Sequence, residues 1–153
     1  MKRRPARTKA PRATAPPRII VLAAGLGSRM RSARPKVLHR VAGRTLLEAV
    51  LAAAEGIEPG RVVVVVGAGR ESVAASLEGR AVTLAVQDPP LGTGDAARRG
   101  LEALEALEGD GPIVVLAGDT PLLRAESLRS LVKRQRHEAL ALAFLPFAPP
   151  EPG

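Results

Sequence analysis

The chain has 153 residues, enough for one domain or the first half of a larger one, with 46% hydrophobic residues and two aromatics, Phe144 and Phe147, so Val, Leu, Ile and Ala must fill its core. Zero cysteines exclude a disulfide framework, thiolate zinc ligation and cysteine nucleophiles, and the two histidines, His39 and His137, stand too far apart for a His-rich metal site. The net charge of +8 is concentrated at the front, where residues 1–44 hold 13 Lys and Arg and no acid. Within that front, residues 1–17 carry six basic residues, Pro and Ala but no Val, Leu or Ile, and read as a disordered basic leader. A solvated extension and a tether for nucleic acid or another anionic surface both fit it. The absence of aromatics there removes base stacking, so no specific nucleic acid is expected. No apolar run reaches the roughly 18 residues that span a bilayer, and the sequence reads as soluble and cytoplasmic.

Beyond the leader, short β-branched runs alternate with helical patterns. Residues 18–22 (RIIVL), 62–66 (VVVVV), 81–86 and 113–117 are continuous apolar runs, as strands buried on both faces of a parallel sheet require. Leu46, Leu47, Val50, Leu51 and Ala54 form one helical stripe, Leu101, Leu104 and Leu107 a second, and Leu128, Leu131 and Val132 a third. The alternation predicts βαβ units and a Rossmann-like three-layer α/β/α sandwich with a mostly parallel sheet. A fifth strand is expected over residues 140–145, before a Pro-rich tail at 146–153 closes the chain. No internal repeat or linker divides residues 18–145.

Open α/β sheets bind ligands beyond the carboxyl ends of their strands. The first such end reads Leu22-Ala23-Ala24-Gly25-Leu26-Gly27-Ser28-Arg29-Met30, followed by Pro35-Lys36. Two glycines and small neighbours let backbone N–H groups approach a phosphate chain, and Arg29 and Lys36 supply the charge, so anion binding is the chemistry implied. A dinucleotide fingerprint is absent, because Met30 stands at its third glycine and no acidic residue ends the next strand. No P-loop string occurs either.

The string LAAGLGSRM, followed by PKVLHRVAGRTLLEAV, resembles the start of the sugar nucleotidyltransferases, above all the bacterial N-acetylglucosamine-1-phosphate uridylyltransferases. Two further motifs fall in that family's order: Gln87-Asp88-Pro89-Pro90-Leu91-Gly92-Thr93-Gly94, similar to its base-recognition segment, and Leu116-Ala117-Gly118-Asp119-Thr120-Pro121, similar to its metal-binding strand end. The resemblance implies a nucleotide-diphospho-sugar transferase fold, incomplete here, that forms UDP-N-acetylglucosamine and pyrophosphate from UTP and N-acetylglucosamine 1-phosphate with Mg²⁺. By it, Leu22, Ala23, Ala24 and Gly25 meet the nucleotide through their backbone, Lys36 reaches its phosphates, and Arg29 holds the departing pyrophosphate. Arg29 and Lys36 would be the catalytic cations, since attack of one phosphate on another needs preorganised positive charge more than a general base. Gln87, Gly92 and Thr93 would read uracil, and Ala117, Gly118 and Asp119 would lie against substrate, with Asp119 the metal ligand.

The residue after Gly94 is often His in that family and is Asp95 here; a carboxylate suits a helix start. His39 and His137 are expected to be structural or exposed. The family's catalytic domain continues well beyond what these motifs cover, so sugar-holding residues, a second metal ligand, the acetyltransferase β-helix and the trimer contacts would lie elsewhere. A non-catalytic nucleotide-binding module is the alternative, and an RNA-associated protein acting through the basic leader a weaker one.

Overall fold

A computed structural model describes residues 15–25, 30, 32 and 34–146. Most of the leader, most of the Pro-rich tail and Arg29 lie outside the described residues. The elements run in the order β1 (Arg18–Ala23), β2 (Arg40–Val41), β3 (Arg44–Thr45), α1 (Leu46–Glu55), β4 (Arg61–Val66), α2 (Arg70–Ser76), β5 (Thr83–Val86), α3 (Thr93–Glu105), β6 (Ile113–Ala117) and α4 (Ala125–His137), with a 3-10 turn at Lys36–Leu38. The four apolar runs form one parallel sheet of order β5-β4-β1-β6, each within two residues of its predicted bounds.

Alternation along β1 divides the interior in two. Ile19, Val21 and Ala23 join Val62, Val64 and Val66 in the larger cluster, which Leu47, Val50 and Leu51 of α1, Val73 of α2 and Leu128 of α4 complete. Ile20 and Ala24 face the other way, with Val63, Val65 and Ala85, against Ala96 and Leu104 of α3. Each fully buried Val, Leu or Ile is worth about 1.5–3 kcal/mol relative to exposure. The expected three layers are thus present. Helix α1 is started by a capping box: the Glu48 N–H donates to Thr45 Oγ1 at 3.1 Å, and the Thr45 N–H donates to Glu48 Oε2 at 2.7 Å.

Three features depart from the sequence reading. Helix α2 has one buried residue, Val73, too few to form a stripe. The β2–β3 hairpin is two residues a side, and its turn places Ala42 and Gly43 at positive φ. The strand expected over residues 140–145 does not form. The Leu140 N–H instead donates to the Gln135 carbonyl, the Gln135 side chain donates back to the Leu140 carbonyl, and Leu142 and Phe144 are exposed without a strand beside them.

Helix α3 approaches the sheet through Gly100. A Cβ there would strike Ile20 Cγ2 and stand 3.0 Å from Val65 Cγ2. Gly100→Ala gains about 1 kcal/mol of helix propensity but overpacks a filled interface at a cost of about 1–3 kcal/mol. We expect a net destabilisation of about 1 kcal/mol in urea unfolding, whereas Gly94→Ala, where a Cβ meets nothing within 4 Å, should be neutral or stabilising. A Gly100→Ala chain more stable than the parent would show that α3 does not sit this close.

Candidate nucleotide site

Because β1 leads first to β4 and β5 on one side and the chain returns to β6 on the other, the sheet order reverses beside β1, and a crevice opens there at the carboxyl ends. Backbone contacts draw its walls together: the Gly118 N–H donates to the Leu22 carbonyl at 2.9 Å, continuing the β1–β6 pairing past the last strand residue. Gly118 and Gly67 are the points of closest approach, since a Cβ on Gly118 would lie 2.8 Å from the Leu22 carbonyl oxygen and one on Gly67 2.7 Å from that of Ala24. At the same edge Ala23 and Ala24 are buried while Gly25 is exposed.

The turn Lys36–Leu38 is anchored by Val37 and Leu38, both buried in the larger cluster, which leaves Lys36 free to face the strand ends. Its ammonium donates to Asp119 Oδ2 at 2.5 Å, across 83 residues of sequence. Asp119 follows β6, where the Thr120 hydroxyl donates to the Ala117 carbonyl and closes the turn. Two residues singled out separately in the sequence are thus one ion pair, both ends partly open to solvent. A cation and a carboxylate so placed suit an anionic phosphate chain and a hard divalent cation respectively. A cleft of about 590 Å³ bounded by Arg34, Arg40, Glu48 and Ser72 adjoins the Lys36 turn and contains none of the residues predicted for the site.

Gln87 directly follows β5, two strands from β1, and its N–H donates to the Val66 carbonyl. Thr45 and Gln87 are the buried polar side chains among the described residues, and Thr45 is accounted for by its cap. The Gln87 side-chain amide donates to the Gly92 carbonyl at 2.9 Å and to Asp95 Oδ2 at 3.0 Å. Gly92 takes φ +94°, a conformation that requires glycine although a Cβ would meet nothing, and α3 begins at Thr93. Three strand spacings, about 14 Å, separate the Gln87 end of the crevice from the Asp119 end. All the described site residues therefore occupy one sheet edge, in two groups.

Asp95 is a neighbour of the predicted site residues whose contact with Gln87 the sequence reading did not anticipate. Its carboxylate accepts from Arg98 Nη2 at 2.6 Å as well as from Gln87. The sequence signal was the i,i+3 pair Asp95 and Arg98 in a first helical turn, but nothing in the spacing pointed back to Gln87. The Arg98 guanidinium, and after it the Gln87 amide, hold the Asp95 carboxyl below its ordinary range. His39 is half-buried, its backbone N–H donating to the Lys36 carbonyl at 3.1 Å, and His137 is exposed.

A parallel α/β sheet with a cation and a carboxylate facing each other at its reversal point offers a crevice for a charged ligand, and comparison with known proteins makes the domain a nucleotidyltransferase. The chain belongs to the MobA-like NTP transferase family, whose model matches residues 19–152. Among curated relatives it is 48% identical over 145 residues to the bifunctional protein GlmU of Thermobifida fusca, covering 92% of this chain and 30% of that one. To GlmU of Streptomyces avermitilis it is 50% identical over 132 residues, covering 85% and 27%. The chain thus spans under a third of the length of these relatives. Among solved structures it resembles a nucleotidyl transferase from Methanothermobacter at 28% identity and TM-score 0.68, covering 77% of this chain and 57% of that one. A manganese complex of Rv0371c from Mycobacterium tuberculosis shares the fold at 21% identity and TM-score 0.65, covering 80% and 60%.

The Asp95 interactions have a pH signature. A carboxyl whose pKa is lowered by folding contributes stability above its unfolded value, and that contribution is lost as pH falls through the folded value. Between about pH 5 and about pH 3 the melting temperature of the parent should therefore fall more steeply than that of Asp95→Asn. Parallel curves would mean that Asp95 makes these bonds in the unfolded chain too, or not at all.

Proposed function

We propose that this chain is the nucleotide-binding part of a sugar nucleotidyltransferase that forms UDP-N-acetylglucosamine and pyrophosphate from UTP and N-acetylglucosamine 1-phosphate in the cytoplasm. The observation that carries the reading is the Lys36–Asp119 pair at the crevice beside β1, with Gln87 at the far end of the same edge. The GlmU relatives, near 50% identity, support a nucleotidyltransferase, and the resemblance of the motifs at residues 87–94 and 116–121 to the uridylyltransferases supports the choice of uridine nucleotide and sugar. Leu22, Ala23, Ala24 and Gly25 line the nucleotide through their backbone, Lys36 and Arg29 neutralise the phosphates, Gln87, Gly92 and Thr93 read the base, and Ala117, Gly118 and Asp119 close the phosphate end. Residues 18–145 form the unit that does this, with residues 1–17 and 146–153 as flanking segments.

Asp119 fits Mg²⁺ as one member of a site completed by substrate oxygens, because this ion is commonly held by one or two carboxylates plus phosphates. Among the described residues no three His, Asp or Glu side chains cluster to form a protein-only metal site. Bound there, the ion would supply positive charge against the phosphate chain. Lys36 does the same from the opposite wall, which lowers the repulsion between an attacking sugar phosphate and the α-phosphate. No helix among the described residues is long and apolar enough to cross a membrane.

A single carboxylate favours one second reading, that this chain by itself binds nucleotide without turning it over. Positioning of the two reactants is worth about 7–11 kcal/mol in such reactions, and the assigned side chains all address the nucleotide. UTP with Mg²⁺ should raise the melting temperature, by about 2.7 kcal/mol of stabilisation at 100 times its Kd. Pyrophosphate release from UTP and N-acetylglucosamine 1-phosphate should be barely detectable. Robust release that disappears in Asp119→Asn would instead show a complete active site in this chain.

Lys36→Ala separates phosphate binding from base binding. Loss of a charge-assisted contact should weaken UTP by about 1.5–3 kcal/mol, with uridine nearly unaffected, as calorimetric titration would show. Equal losses for both ligands would assign Lys36 to loop structure.

A further inference from the structure

Gln87 is only 4% exposed, and both hydrogens of its side-chain amide are engaged within the protein, one by the Gly92 carbonyl and one by the Asp95 carboxylate. Turning the amide over would press Oε1 against two acceptor oxygens, so hydrogen bonding fixes the orientation. The carboxylate that enforces it is itself held by Arg98 at 2.6 Å, with a second guanidinium, that of Arg99, 3.9 Å away. A neutral amide held in this way has no donor left for a ligand and offers an acceptor, Oε1, alone.

Resting on the uridine reading above, we propose that Asp95 is a positioning residue for base selection: by engaging the Gln87 amide it leaves only Oε1 to face the base, which favours uracil over cytosine. Uracil carries an N–H donor at ring position 3, whereas cytosine carries a lone pair there, so Oε1 attracts one and repels the other. Donors for the flanking uracil oxygens are close by. The first intrahelical bond of α3 runs from the Ala96 N–H to the Gly92 carbonyl, so helix geometry leaves the N–H groups of Thr93, Gly94 and Asp95 unused by the helix itself. Without Asp95 only Gly92 restrains the amide. The group then turns more easily and can donate to cytosine.

The test compares UTP and CTP, which match in size and charge, by calorimetric titration of the 153-residue chain with Mg²⁺. The parent should prefer UTP. Asp95→Ala should reduce the UTP-to-CTP affinity ratio by about tenfold or more, the low end of the worth of one hydrogen bond to a charged partner. Asp95→Asn, which keeps an acceptor oxygen, should retain most of the ratio, and inorganic tripolyphosphate should bind all three chains alike. If Asp95→Ala does not fold, Asp95→Ser, too short to reach the amide but suited to a first helical turn, makes the same comparison. A parent that binds UTP and CTP equally would overturn the uridine reading and this inference with it. A parent that prefers UTP and a variant with an unchanged ratio would overturn the role of Asp95 alone. Equal loss of UTP, CTP and tripolyphosphate in the variant would also overturn it, by showing a merely structural role.

Discussion

The site depends on β1 being paired on both sides. Ile19 lies beside Val62 on one flank and Val114 on the other, and the same double pairing runs along the strand through Leu22, between Val65 and Ala117. A strand so placed must be apolar on both faces, and one whose neighbours come from opposite directions of chain travel must end in a crevice. The alanines and glycine after β1 follow from that position. Larger side chains at Gly118 or Gly67 would strike the carbonyl oxygens of Leu22 in β1 and of Ala24 just past it, and push the walls apart.

How much of this was legible in the sequence follows from burial. The four strands were readable because each is a run of β-branched or aliphatic residues, and α1, α3 and α4 because each carries apolar residues at helical spacing. Helix α2 buries Val73 alone, and the β2–β3 hairpin is held by a turn at Ala42 and Gly43, so neither leaves a periodic trace. Leu140 to Leu145 showed the opposite error. Its composition suits a strand, but a strand needs a neighbour, and that requirement is not written in the segment itself. The uneven cover of β6 is a related case. Val114 and Leu116 are buried, while Ile113 and Val115 are 38% and 49% exposed because α3 packs on β1, β4 and β5.

The site residues were legible as types and positions, not as partners. Lys36 and Asp119 each stood out by its place after a turn or strand, yet their pairing spans 83 residues and emerges only when β6 returns beside β1. Gln87 stands out in the same way, whereas in the sequence Asp95 shows only as a helix-start carboxylate. Its contact with Gln87 arises because Gly92, at positive φ, turns the chain sharply between the end of β5 and the first turn of α3. Local spacing does not reveal such a turn's direction.

The two ends of the crevice hold their groups with different firmness, and that difference suits their tasks. Lys36 and Asp119 are 41% and 33% exposed, and ion pairs in such surroundings contribute about 0–1 kcal/mol. Separating them to admit a phosphate chain and a divalent cation therefore costs little, and each partner exchanges one opposite charge for another. The Gln87 amide is buried, and a buried donor that loses its partner costs about 1–3 kcal/mol. A base bound as proposed would not compete for those hydrogens and would have to accept the edge it is shown. On the function proposed above, the phosphate end is held in readiness by a weak contact that ligand would replace, and the base end would discriminate through a strong one that ligand leaves in place.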